Sequence, residues 1–125
     1  MRLSILTGRL AVVQLPPDST VPEWACGKEL WAAVRTPQEL SVVCEEAGVP
    51  EGIRVERGWR ALRVEGPLDF SLVGVLSAIA SPLAQAGVSL FAISTFDTDY
   101  ILVKELTLPR AIEALRNAGH IVESI

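Results

Sequence analysis

LRVEGPLDFSLVGVLSAIASPLAQAGVSLFAISTFDTDYILVKE, residues Leu62–Glu105, decides how this chain is read. It opens on a strand pattern at Leu62–Gly66, turns at Pro67–Phe70 and enters an apolar helix over Leu72–Ala86. Leu72, Val75, Leu76, Ile79 and Leu83 recur at i, i+3, i+4, i+7 and i+11, one stripe of a helix. Gly87 stands where a left-handed residue would end that helix. A hairpin follows over Ser89–Glu105. Its arms, Leu90–Ile93 and Tyr100–Val103, are β-branched and aromatic runs around Ser-Thr-Phe-Asp-Thr-Asp. Downstream, Leu108, Ala111, Ile112 and Leu115 mark one face of a second helix over Pro109–Ala118, with Pro109 in its first turn and Gly119 as its stop. His120–Ser124 supplies a last strand. The order is βαββαβ, an α+β unit with helices covering one face of an antiparallel sheet.

Upstream, the chain reads as a reduced copy of the same unit. Leu3–Leu15 is strand-like with a break at Thr7-Gly8, Pro16–Pro22 is a loop, and Glu23–Ala25 has room for one helical turn. Leu30–Arg35 is a strand. Moved by 59 positions, Trp31–Glu46 falls on Leu90–Glu105 without a gap. Val34 meets Ile93, Thr36 meets Thr95, Val42 to Cys44 meet Ile101 to Val103, and Glu46 meets Glu105. A constant offset over two strands and a turn points to an internal repeat. Thr36-Pro37-Gln38-Glu39 also has the form of a helix-capping box. The repeat favours a turn at Thr36–Leu40, with one helical turn possible, followed by a strand at Ser41–Glu45. Glu51–Trp59 would be the copy's second helix, short and irregular because of Gly52 and Gly58. The expected division is residues 1–60, a reduced N-terminal module, and residues 61–125, a complete C-terminal one, coupled through Trp59–Gly66.

The totals narrow the function. Half of the 125 residues are apolar, the net charge is −4 and no basic cluster occurs. The electrostatic footprint of a nucleic-acid binder is therefore missing. No charged residue lies between Phe70 and Phe96, yet Gly74, Pro82, Gln85 and Gly87 interrupt that run, so it does not read as a membrane span. Leu3–Leu6 is too short for a signal peptide, which leaves the cytoplasm as the expected compartment. Cys26 and Cys44 have no metal-ligand spacing and sit in apolar surroundings, the pattern of buried free thiols.

Catalytic constellations are scarce. His120 is the one histidine and reads as a strand start; no phosphate loop, dinucleotide fingerprint, nucleophile elbow or Cys–His pair is present. No catalytic residue, metal site or cofactor is expected. Asp97 and Asp99 are open to three readings: turn-forming aspartates, carboxylates for a ligand ammonium or guanidinium, or part of a divalent-metal site that lacks a third acid. The turn Gly66-Pro-Leu-Asp-Phe-Ser-Leu-Val-Gly74 delivers a strand into a helix N-terminus, whose free amides favour an anion, although Asp69 or Ser71 could instead cap it. An amino acid, with one carboxylate and one ammonium, suits the two features together.

Leu68–Glu105, and in particular the hairpin AISTFDTDYILV, resembles the ACT-domain family. The resemblance is to small bacterial tandem-ACT proteins, with the ACT domains of CASTOR-type arginine sensors nearby, and it covers most of the chain. It implies a ferredoxin-like βαββαβ fold and a non-catalytic regulatory role in which an amino acid or similar small ligand binds. The family's ligand loop corresponds here to Asp69, Phe70, Ser71, Leu72, Val73 and Gly74, faced by Ile93, Ser94, Thr95, Asp97, Thr98 and Asp99 on the hairpin. The familiar turn has Asp-x-Pro-Gly before Leu-Leu; here Ser71-Leu-Val-Gly74 precedes Val75-Leu76. Pairing into a homodimer is implied by the resemblance alone. The alternative is a structural or oligomerisation module with a vestigial pocket.

Overall fold

A computed structural model describes residues 1–66 and 73–124. The chain forms β1 (Arg2–Ile5), β2 (Leu10–Leu15), β3 (Ala32–Arg35), β4 (Leu40–Glu45), β5 (Arg54–Val64), α1 (Val75–Gln85), β6 (Leu90–Ser94), β7 (Asp99–Lys104), α2 (Leu108–Asn117) and β8 (Ile121–Ser124). Single 3₁₀ turns occur at Glu23–Ala25, Glu46–Gly48 and Glu105–Thr107. Two compact units result, one of Gly8–Trp59 and one of Met1–Thr7 with Arg60–Ile125. β5 contributes its first half to one and its second half to the other.

In the C-terminal unit the strands run β8-β1-β5-β7-β6. β1 is antiparallel to β5, with Leu3 opposite Val64, and parallel to β8, with Leu3 opposite Val122. The sheet is therefore mixed, where an antiparallel one was expected. Residues Met1–Thr7 were assigned above to the N-terminal module and fall here instead. The cause is burial: Leu3 and Ile5 join Leu62, Val64, Ile79, Leu83, Leu115 and Val122 in one core, and the backbone of β1 is bonded on both sides.

Both helices dock on that core through Ile79, Leu83, Ala111 and Leu115. Of the apolar stripe on α1, Leu76 turns out 40% exposed. Each helix closes with the same backbone motif. The Val88 amide reaches the Leu83 carbonyl at 2.9 Å and the Gly87 amide reaches Ala84 at 3.0 Å. His120 and Gly119 repeat the pattern on Leu115 and Arg116, both at 3.0 Å. This is the Schellman closure, with Gly87 left-handed at φ 73 and Val88 packed in the same core as Leu83.

In the N-terminal unit the order is β3-β4-β2-β5. Ala11, Val13, Leu40, Val42, Cys44 and Val49 form its core, with Ile53 and Val55 packed against it. The helix expected over Glu51–Trp59 is absent, and β5 begins at Arg54. Ile53 and Val55 alternate as a strand requires, and Val55 and Arg54 pair with Val13 and Gln14 of β2. A register shift on β2 between Leu10 and Val12 marks a bulge near Gly58, whose amide is satisfied by Glu46 Oε1 at 2.7 Å.

The hairpins of the two units share one register at the 59-residue offset. Ala33 pairs with Val42 as Ala92 pairs with Ile101, and Arg35 pairs with Leu40 as Ser94 pairs with Asp99. Thr36–Glu39 is a turn, not a helix start: the Thr36 amide donates to the Glu39 carbonyl at 2.9 Å, and the Thr95 amide to the Thr98 carbonyl at 2.8 Å. Thr36 Oγ1 and Thr95 Oγ1 accept from the amides of Glu39 and Thr98, each at 3.2 Å. The capping-box threonine thus caps a hairpin turn. Both cysteines are free thiols, but only Cys44 is buried; Cys26 is exposed, its Sγ directed to the Pro22 carbonyl at 3.6 Å. Among the described residues, no helix is long and apolar enough to cross a membrane.

Candidate functional site

Alternation along β5 sends Leu62 and Val64 into the core and leaves Arg63 and Glu65 on the opposite face. The end of this strand and the β6–β7 turn enclose an open cleft of about 310 Å³ in the C-terminal unit. Its lining is Arg63, Val64, Glu65, Gly66, Thr95, Asp97, Thr98 and Tyr100. The turn is held against the strand by the Thr98 hydroxyl, which donates to the Val64 carbonyl. Within the turn, Thr95 Oγ1 donates to the Thr98 carbonyl at 3.1 Å.

Charge on the cleft wall is largely self-satisfied at the strand. Arg63 Nη2 lies 3.2 Å from Glu65 Oε1, and the Ser4 hydroxyl donates to the same oxygen. The Ser4 bond, followed by that of Arg63, holds the Glu65 carboxyl below the ordinary 4.5. Glu65, and more weakly Tyr100, raise the Arg63 guanidinium above its already high value. Asp97 is different. It is exposed and, among the described residues, has no hydrogen-bond or ion-pair partner. The cleft therefore offers one open carboxylate beside the threonine and tyrosine hydroxyls, a wall suited to a small ammonium.

Of the residues expected at the site, Thr95, Asp97 and Thr98 line this cleft. Ser94 and Asp99 do not; the Ser94 hydroxyl donates to Asp99 Oδ1 at 2.6 Å and closes the hairpin end. Ile93 lies on β6 opposite Tyr100, also outside the lining. Val73 is exposed ahead of α1, and Gly74 is the N-cap. Gly74 is left-handed at φ 82, and among the described residues no side chain caps the helix. Asp69, Phe70, Ser71 and Leu72 lie outside the described residues. Gly66, which opens the turn singled out above, also lines the cleft, whereas Arg63, Val64, Glu65 and Tyr100 were missed from sequence. The signal was there: Arg63 and Glu65 alternate with the apolar Leu62 and Val64, which marks a face that the core does not need.

His120 Nε2 donates to the Ala78 carbonyl at 2.9 Å, a brace between α1 and the end of α2. Burial first, then the Glu45 charge, pushes the Cys44 thiol up, away from the reactive thiolate. Among the described residues, no group of three or more His, Cys, Asp or Glu side chains could hold a metal ion.

The sequence profile described as an ACT domain matches residues 54–117, just over half of the chain. The chain belongs to the ACT-domain family. A second profile, for an N-terminal domain, matches residues 8–52. A crystallised protein of Agobacterium tumefaciens is 35% identical to this ACT protein, with a TM-score of 0.94 over 99% of this chain and 92% of that one. The human cytosolic arginine sensor for mTORC1, subunit 1, is 44% identical over 59 residues, which is 46% of this chain and 18% of the sensor. The regulatory subunit of aspartate kinase from Thermus thermophilus shares the fold, with a TM-score of 0.66 at 11% identity over 94% of this chain and 96% of that one. The ferredoxin-like α+β fold of the family is the one described above.

Proposed function

We propose that the protein is a non-catalytic regulatory module of two tandem ACT-like units that binds a small ligand, an amino acid, in its C-terminal unit. One observation carries the reading: Asp97 stands open in the cleft while Arg63 and Glu65 satisfy each other, so the wall favours a cationic group. In this reading the ligand ammonium meets Asp97 and the hydroxyls of Thr95 and Tyr100. The ligand carboxylate meets the first turn of α1 after Gly74, where backbone amides and the helix dipole favour an anion. Asp69 to Leu72, between Gly66 and Gly74 in sequence, complete the candidate set. Membership in a family with an arginine sensor and a kinase regulatory subunit among its relatives supports the same role.

A thermal-shift screen of the full chain against the common amino acids tests this. A ligand binding only the folded state at a hundredfold excess over Kd stabilises it by about 2.7 kcal/mol. The expected result is a rise of several degrees with one amino acid, abolished by Asp97→Asn. Unaltered response in that variant would remove Asp97 from the site.

A second reading has its own observation. Among the described residues β6 pairs only with β7, and its sequence, Leu90–Ser94, carries no charge. Uncharged edge strands invite pairing with another chain. A homodimer formed along β6 would make the protein an assembly module. A silent ligand screen, together with a concentration-dependent mass that Ala92→Lys abolishes, would favour this reading over the first.

A further inference from the structure

We infer that the N-terminal unit carries a second binding site, for a small zwitterion of the amino-acid class, on the open face of its sheet. The site lies wholly within Gly8–Trp59, so it stands or falls separately from the C-terminal cleft. Strand register builds it. Arg54 of β5 is opposite Gln14 of β2, and Gln14 is opposite Ser41 of β4, which sets three polar side chains in one row across three strands. Val13 and Val55, the alternate residues, point into the core. Glu39, from the β3–β4 turn, closes one end of the row, and an open cleft of about 280 Å³ lies over these residues.

Its two ends carry opposite charges that do not satisfy each other. Glu39 Oε1 accepts from Ser41 Oγ at 2.8 Å and from Gln14 Nε2 at 3.2 Å. Two donors on one oxygen fix the carboxylate, and among the described residues nothing bonds Oε2. Arg54, at the other end, has no hydrogen bond or ion pair among the described residues. The columns of Arg54 and Ser41 are two strand spacings apart, ~10 Å between backbones. A long guanidinium arm spans much of that gap. A small molecule with one carboxylate and one ammonium fits between them, the carboxylate taking the planar fork of Arg54 and the ammonium taking Glu39 Oε2.

Equivalence between the units strengthens the placement. Arg63, Val64 and Glu65 line the C-terminal cleft as Val12, Val13 and Gln14 line this one, and Thr98 and Tyr100 as Glu39 and Ser41. Both clefts thus lie where an inner strand of the unit's sheet meets its hairpin turn. The difference is chemical: Arg63 of the C-terminal cleft is paired with Glu65, whereas Arg54, among the described residues, is left for a ligand.

The test is backbone-amide NMR of the full chain with each common amino acid at millimolar concentration, and with acetate and methylammonium as half-ligands. Expected are saturable shifts at Gln14, Ser41 and Arg54 for an amino acid, with either half-ligand weaker. Arg54→Gln and Glu39→Gln should each weaken binding by about tenfold or more, as loss of a charge-assisted contact does. Asp97→Asn should leave these shifts in place. Shifts confined to Thr95–Tyr100, shifts at Gln14 that survive both variants, or no shifts at any amino acid would each overturn the site. Survival of the Gln14 shifts in Asp97→Asn alongside a silent C-terminal cleft would uphold this inference and remove the other.

Discussion

Arg63 and Glu65 meet on one face of β5 at 3.2 Å, and the Ser4 hydroxyl of β1 joins them on the same carboxylate oxygen. Val64, between them in sequence, is fully buried. Packing on one face of the strand therefore holds the polar pair in position on the other. The N-terminal segment of the chain reaches the cleft wall through Ser4.

That contact sets a pH dependence. The folded-state carboxyl of Glu65 lies below its ordinary 4.5, so its contribution to stability is complete above that value. The contribution is lost as pH falls through the folded pKa, because the unfolded chain takes up the proton first. Glu65→Gln should flatten the stability profile below about pH 5 and leave the profile at neutral pH parallel to that of the parent. Urea denaturation at a series of pH values reads this. Identical slopes in both proteins would mean that the Ser4 and Arg63 contacts do not persist in solution.

β1 gives a sharper structural prediction. Leu3 is fully buried among the side chains of β5, β8 and both helices. Leu3→Ala should cost about 2–5 kcal/mol, the range for emptying a packed leucine site. Leu106, 96% exposed in the turn before α2, serves as the control, and Leu106→Ser should stay within about 0.5 kcal/mol. Hydrogen exchange distinguishes the two readings of β1. If it is an integral strand, Leu3→Ala speeds exchange at Leu62–Val64 and at Val122 together.

The C-terminal unit was legible because each of its elements announces itself locally: a 3.6-residue stripe in each helix, Gly87 and Gly119 at their ends, and two β-branched arms around a turn. The repeat made Thr36–Glu39 readable as a turn against a strong local capping signal, and the matched Thr36 and Thr95 bonds show why. What stayed hidden was non-local. Nothing in Arg2–Ile5 says that it pairs with β5 and β8 and not with the strands nearer in sequence. Arg54 and Val55 were overlooked as strand residues because glycines on either side resemble helix breakers as much as bulges. The cleft residues Arg63 and Tyr100 were missed because ligand chemistry was sought in turns, whereas strand alternation places them.

Thr98 ties the cleft together, its hydroxyl donating to the Val64 carbonyl. Thr98→Val keeps shape and β-propensity while deleting the donor, so the loss reports the bond. The expected cost is about 1 kcal/mol, with a lower melting temperature and a weaker response to the ligand found in the screen. Thr98→Ser keeps the hydroxyl and should retain ligand affinity. Equal affinity in the valine variant would show that the turn holds its position without this bond.

Gly74 separates backbone geometry from space at the start of α1. Its φ of 82 lies in the left-handed region, and among the described residues nothing lies within 4 Å of where a Cβ would stand. Any penalty for a side chain is therefore conformational. Left-handed backbone costs an L-residue about 1–2 kcal/mol. The stiffer unfolded chain offsets about 0.4–1 kcal/mol of that. Gly74→Ala should thus lower stability by about 1 kcal/mol in chemical denaturation, while Gly74→Asn, whose side chain tolerates the left-handed region, should lose less. Equal losses would locate the cause elsewhere than in φ. If the first amides of α1 receive the ligand carboxylate, Gly74→Ala should also weaken binding by more than Gly74→Asn does, since only the alanine favours rotating those amides out of line.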